Sequence, residues 1–260
     1  FLLLFVSTLN SFAQYDDKWK EVYQYELDGK IKSAQEEVEE IYKKAKRKKE
    51  EVQIIKCFFY LSKFEQVFDE KAQTTIIHNI QKEINEAKPV SKALLHYIYI
   101  NILEEYYNRN RYTIKKRTNL ENQKNTDFLT WTEDDFKAQI EKNYNQLLLN
   151  ENDLRSVNLD KFKDIFDISP SVDDKNYSIY EFLSQKSCNY YKSRIVSWRL
   201  KKSTDFENDI KIFYTNPNSF VNFDSKKLED ENLRKLISIF QKNEKYYLEQ
   251  NNYEKVDFAY

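Results

Sequence analysis

The residues that could do chemistry are few and scattered. His78 and His96 each sit inside an amphipathic stretch, with no second His at i+4 and no HExxH pattern, so each reads as a satisfied or surface histidine and neither as a metal ligand. The carboxylate pairs Glu36-Glu37, Glu39-Glu40, Glu104-Glu105 and Asp134-Asp135 lie beside lysines on helical stretches. They read as solvated faces, and nothing in their spacing converges two of them into an acid/base pair. No serine lies in a GxSxG turn. The single glycine, Gly29, leaves no Gly-rich loop to cradle a phosphate. The sequence therefore assigns no catalytic residue, no cofactor-binding residue and no metal ligand, and the chain is read as a non-enzyme.

Three further features have a structural reading beside a functional one. Cys57 and Cys188 lie in helical patterns among aromatics. Two buried free thiols are expected over a single bridge, because Cys packs as a small hydrophobe. The 20 Tyr and 18 Phe could line a concave face that stacks sugars or grips a peptide. Their helical spacing instead assigns most of them to the core. The run KKAKRKKEE, Lys43 to Glu51, reads as a solvated helix end with cations at the negative end of the dipole.

The elements that would position these residues are helices. One Gly and three Pro in 260 residues are too few for a Gly-turned barrel or sandwich. The central stretch begins at Pro89, with Ser91 as a capping residue. It carries Leu94, Leu95, Ile98, Ile102, Leu103 and Tyr106 on one face, widened by Tyr97, Tyr99, Tyr107 and Tyr112. A helix apolar over so much of its circumference needs neighbours on several sides. Before it come a helix opening at Asp16 or Asp17 and broken at Asp28-Gly29, and a second with Ile31, Ala34, Val38, Ile41, Tyr42 and Ala45 on one face. A third runs from Val52 to about Asp69, and a fourth from about Thr74 to Ala87.

After a polar loop, Asn119 to Asp127, Thr132 and Asp135 form a capping box for a helix with Phe136, Ile140, Tyr144, Leu147 and Leu148. Residues 151–175 read as irregular, with one short helix from Leu159 to Phe166. Asn176 or Ser178 opens another helix with Ile179, Phe182, Leu183, Tyr190 and Tyr191. A turn or short extended segment is expected around Pro217, then a helix with Leu236, Ile237, Phe240, Tyr247 and Leu248, broken near Asn251-Asn252. The fold class expected is all-α, with antiparallel helical hairpins stacked as a tetratricopeptide-like array and irregular loops. The organisation expected is a signal-peptide remnant over 1–13, a helical array over 14–118, its continuation with loops over 119–200, and a less regular, truncated segment over 201–260.

Balanced charge, formally −1, gives no electrostatic case for nucleic acid. Leu2 to Val6 form an apolar core, with Ser11 and Ala13 as small residues before Gln14. That is the pattern of a signal peptide and places the chain in the periplasm or at the cell surface. The absence of Met and the unfinished pattern of NYEKVDFAY at the other end are read as a piece of a longer reading frame. No run reaches the roughly 18 apolar residues of a membrane span.

Four stretches in order carry a resemblance: EEIYKKAK at Glu39 to Lys46, LLHYIYINILEEYYNRNRYTIKKRT at Leu94 to Thr118, TDFLTWTEDDFKAQIEKNYNQLL at Thr126 to Leu148, and NYSIYEFLSQKSCNYYKS at Asn176 to Ser193. The chain resembles the N-terminal helical region of the large exported alpha-2-macroglobulin-like proteins of Bacteroidetes. The resemblance implies β-sandwich macroglobulin domains downstream as partners within one chain, and a full-length protein that traps host or bacterial proteases. A thioester segment would need Cys two residues before Glu-Gln. Tyr247 stands there ahead of Glu249-Gln250, so covalent trapping is not implied for this piece. The function expected is a non-catalytic exported scaffold or interaction module. The alternative is a free-standing tetratricopeptide-like module binding peptide or glycan.

Overall fold

The computed structural model describes residues 3–64, 70–117, 128–166, 177–195 and 217–252. Among them are ten α-helices and no strand. The chain divides into two compact units, Phe1–Tyr177 and Ser178–Tyr260.

In the first unit the helices are α1 (Leu3–Leu27), α2 (Ile31–Lys48), α3 (Glu51–Phe64), α4 (Glu70–Glu86), α5 (Pro89–Ile114), α6 (Glu133–Tyr144) and α7 (Glu151–Arg155). The turns between the first five are short, and their chemistry is visible. Gly29 ends α1 at φ 70°, with Lys30 N–H bonded back to the Tyr25 carbonyl at 2.8 Å. Lys49 ends α2 in the same left-handed conformation, φ 57°, and Glu50 N–H reaches the Ala45 carbonyl at 3.0 Å. This closure is usually made by glycine; here a lysine adopts it despite its Cβ.

Each helix buries the face its spacing specifies. In α2 these residues are Ala34, Val38, Ile41 and Ala45. In α5 the set is larger, and includes Leu94, Leu95, Ile98, Tyr99, Ile100, Ile102, Leu103 and Tyr106. Ile98 and Ile100 lie about 200° apart around a helix, yet both are fully buried. Helix α5 is accordingly packed by α3, α4, α6 and α7. The packing alternates along the chain. Helix α3 reaches past α4 to α5. Trp19 of α1 donates to Gln53 of α3 at 2.8 Å, and Lys46 of α2 bonds to Glu83 of α4.

Aromatic rings lock the odd-numbered helices together. Trp19 lies 5.0 Å from Tyr60, Phe59 6.0 Å from Phe166 and Tyr97 6.1 Å from Phe166. The Lys56 ammonium sits 4.4 Å over the Trp19 ring, which holds a buried cation against a π face. Around the other end of α5, Tyr106, Phe128, Trp131 and Phe136 form a second cluster.

In the second unit, α8 (Ile179–Arg194) packs against the last helix, α10 (Glu231–Glu249). That helix also covers the short α9 (Pro217–Val221). Phe220, Leu228 and Ile237 form the core there. Gln241 holds the α9 end by donating to the Phe220 and Phe223 carbonyls, at 2.8 and 2.7 Å. Asp230 caps α10 at Leu233 N–H, 2.9 Å. Tyr247 donates to Glu181.

Several expectations need correction. Helix α1 is continuous from Leu3, so neither Asp16 nor Asp17 caps it; both lie mid-helix, where no Pro or Gly interrupts the chain. Ser91 does not cap α5. Pro89 occupies the first turn after Lys88, and the Ser91 hydroxyl instead donates to Glu51 of α3 at 2.8 Å. Helix α4 begins at Glu70, ahead of Thr74. Within the stretch read as irregular, α7 forms a full turn, and the expected Leu159–Phe166 helix is a 3₁₀ turn, Leu159–Phe162, followed by further turns. Pro217 stands at the start of a short helix, and no extended segment follows it among the described residues, in keeping with proline's tolerance at a first helical position. The capping box of Thr132 with Asp135 forms as expected, and Ser178 makes one with Glu181. The polar loop 119–127, residues 201–216 and the stretch 253–260 lie outside the described residues, as does the last part of the expected third helix, 65–69.

Because Ile98 is fully buried in the part of α5 that its neighbours enclose, Ile98→Asp should unfold the first unit. Burying an unpaired carboxylate costs several kcal/mol, on the order of a domain's whole stability. Loss of the cooperative thermal transition, followed by circular dichroism, is the expected result; a wild-type melting curve would show that Ile98 is not core.

Candidate functional site

Two helix turns of the first unit open on one cleft. The α2–α3 turn brings Lys46, Lys49 and Glu51, and the α4–α5 turn brings Glu83, Glu86, Lys88 and Ser91. Ile54, Ile55, Ala87 and Leu95 make the apolar floor, and the space is about 320 Å³. Its place follows from local chain chemistry: two short turns put the C-termini of α2 and α4 beside the N-termini of α3 and α5.

Charges across the cleft pair in a definite pattern. Lys46 Nζ lies 2.6 Å from Glu83 and 2.8 Å from Glu86. Glu83 is buried and also accepts a hydrogen bond from the Tyr42 hydroxyl, 3.1 Å. Burial alone would lower the Lys46 ammonium; its bonds to the two carboxylates outweigh this and hold it above the usual lysine value. Glu51 accepts from Lys88 at 2.7 Å and from Ser91 at 2.8 Å. Burial works to raise its carboxyl, and these partners outweigh it and hold it low. Glu51 thus places a negative charge at the N-terminus of α5, where the helix dipole favours it.

The features singled out in the sequence lie elsewhere. His78 is exposed. His96 joins α5 to α6 through Asn143, with Nδ1 2.6 Å from Oδ1. The Asn143 amide nitrogen donates to the Gln139 carbonyl at 2.7 Å, so its oxygen faces the imidazole and Nδ1 is the donor. Cys57 and Cys188 are both free thiols. Burial pushes Cys57 well above the thiol range and Cys188 up to about 12, which leaves neither as a thiolate near neutral pH. Among the described residues no group of three or more His, Cys, Asp or Glu is placed to hold a metal ion. No described helix is long and apolar enough to cross a membrane. Among the described residues the expectation of core aromatics holds for most rings; the exposed large hydrophobics there are Leu27, Tyr112 and Leu149. Tyr112 carries the Lys116 ammonium 3.9 Å over its ring.

The charge run at the end of α2 was expected to be solvated. Lys43, Arg47, Lys48 and Lys49 are exposed, in keeping with this, but Lys46 turns onto α4 and Glu51 turns onto α5. Their partners stand 37 and 40 positions away in Glu83 and Ser91. Local spacing carries no signal for such pairs. The paired charges neutralise one another: Lys46 with Glu83 and Glu86, and Lys88 with Glu51. No family model, curated protein or solved structure matches the chain.

His96 gives a pH signature. Burial lowers its pKa, the Asn143 bond opposes this, and Lys92 and Lys142 reinforce it. The folded-state pKa lies below the unfolded one, so the unfolded chain takes up the proton first. Stability is full above about pH 6.5, the unfolded value, and is lost as pH falls toward the folded pKa. His96→Gln should cost about 1 kcal/mol at pH 7.5 and lose less stability than wild type between pH 7.5 and 5.5 in urea titrations. Equal losses in both proteins would show that His96 does not titrate differently in the folded state.

Proposed function

We infer that the chain is a non-catalytic helical scaffold or interaction module, arranged as a tetratricopeptide-like array. Its best-supported context is the head of an exported alpha-2-macroglobulin-like protein whose full length traps proteases. The observation that carries the scaffold reading is the alternation of contacts. Helices α1, α3 and α5 touch in series, while α2 is tied to α4 through Lys46 and Glu83. Stacked helical hairpins generate that pattern, each burying its apolar face on the next.

Support for the family context comes from the four ordered stretches. Glu39 to Lys46 lie on α2, the body of Leu94 to Thr118 on α5, the capped core of Thr126 to Leu148 on α6, and most of Asn176 to Ser193 on α8. In this reading the module acts through its surface, by docking downstream domains or an envelope partner, and the β-sandwich domains do the trapping. The N-terminal apolar run with Ser11 and Ala13 supports export to the periplasm or cell surface.

Reading the source DNA past the codon for Tyr260 tests the context. The expected result is an open frame encoding successive β-sandwich domains. The isolated module, incubated with a broad-specificity protease, should leave its cleavage of a large protein substrate unchanged. An early stop would remove the macroglobulin reading and leave a free-standing tetratricopeptide-like binding module. Stoichiometric inhibition by the module alone would contradict the division of labour.

A further inference from the structure

The far end of α5 gathers positive charge without answering it. From Tyr106 to Arg117 the chain carries Arg109, Arg111, Lys115, Lys116 and Arg117 and no carboxylate, although its formal net charge is −1. Arg117 is half-buried and donates to the Trp131 carbonyl at 2.7 Å. The other four are exposed and form no ion pair among the described residues. Arg111 bonds the Tyr107 hydroxyl, and Lys115 acts through space on Glu133, whose own ion pair is with Lys137. The α5 dipole supplies only about half a negative charge at this end. At 100° per residue the four cations spread over about 160° of the helix surface. Tyr112 stands in the middle of that arc, with Arg111 and Lys115 on one side and Lys116 and Arg109 on the other. Its ring is 76% exposed, and the Lys116 ammonium lies 3.9 Å over one face. Glu105, one turn earlier, is the arc's single carboxylate and forms no ion pair among the described residues. The lysine-rich end of α2 differs, because Lys43 is paired there with Glu40, and Lys46 with Glu83 and Glu86.

We propose that this arc docks an acidic polypeptide segment with carboxylates on both sides of an apolar residue. The carboxylates meet Arg109 and Lys116 on one side and Arg111 and Lys115 on the other, and the apolar residue covers the open face of Tyr112. Arg109 to Lys116 span about 10 Å of helix axis, the reach of a short segment. Two other polyanions fit less well. A single-stranded nucleic acid stacks its bases on open aromatic faces, and Lys116 occupies one face of the ring exposed here. A lipid surface takes up an apolar helix face, and Tyr112 is the one exposed large hydrophobic on α5. The arc gives the proposed interaction module a surface and a partner chemistry. That reading rests on helix packing, so it survives if the arc binds nothing.

The N-acetylated, C-amidated peptide Glu-Glu-Leu-Glu-Glu, titrated into the 260-residue chain at low salt and followed by calorimetry and amide shifts, tests this. Saturable binding below about 1 mM is expected, weakening as salt is added, with shifts from Arg109 to Lys116. The matching Gln-Gln-Leu-Gln-Gln peptide should bind at least about tenfold more weakly. Arg109→Gln with Lys116→Gln, and Arg111→Gln with Lys115→Gln, should each cost about tenfold, and Tyr112→Ala about threefold. Arg47→Gln, at the end of α2, should leave binding within about twofold. All these positions are exposed, and unchanged melting would show the fold intact. No saturable binding, equal binding of the Gln peptide, or an equal loss in Arg47→Gln would overturn the site. Tighter binding of a ten-residue oligothymidylate, or of phosphatidylglycerol vesicles, than of the acidic peptide would overturn the polypeptide assignment.

Discussion

The first unit depends on burying the first half of α5 almost all round. Along its first half, with Ile98 and Ile100 both fully buried, α5 has little surface left for water, and α3, α4, α6 and α7 close on it together; Glu105, Asn108, Arg109, Arg111 and Tyr112 further along are exposed. Each aliphatic side chain so buried contributes about 1.5–3 kcal/mol, set against the conformational entropy of ordering the surrounding chain. The tyrosines extend that closure outward. Tyr99 is buried and accepts a bond from Gln81 on α4, 2.8 Å, while Tyr106 stacks on Phe136 of α6. The aromatic content thus serves mainly to join neighbouring helices, which is why it does not form an exposed stacking platform among the described residues.

Charge is organised at the helix turns, where the apolar helices approach one another end to end. Glu83 is buried and Glu51 half-buried, and each is held by a lysine and a hydroxyl. Such pairs add less to net stability than their geometry suggests, because desolvation offsets the attraction. Their effect is on register: Lys46 meets Glu83 and Glu86 only if α2 and α4 sit at one particular offset. The same register gathers the Lys46, Glu83 and Glu86 group and the Lys88–Glu51 pair around one cleft between the two turns.

Much of this was legible in the sequence, and what was not has a common cause. The 3.6-residue spacing on α2 and α5 named the buried faces, and Thr132 with Asp135 named a helix start, because those signals are local. Ser91 misled because its spacing from Pro89 fits a cap, whereas its hydroxyl is taken by Glu51, 40 positions away. Lys46 misled because a run of lysines normally faces water, and only the fold brings Glu83 to it. His96 and Asn143 are 47 positions apart and could not be paired by inspection. Pro217 was read as a turn because proline breaks helices from within, although it also opens them. Sites assembled across helix turns escape a reading that works by periodicity.

Amide hydrogen exchange on the intact chain tests most directly whether α5 is the element on which the first unit depends. Amides from Leu94 to Leu103 should exchange slowest in that unit, with an opening free energy equal to that of global unfolding. Faster exchange in this stretch than in α2 or α6 would contradict it, and would mean that the array holds together without its central helix.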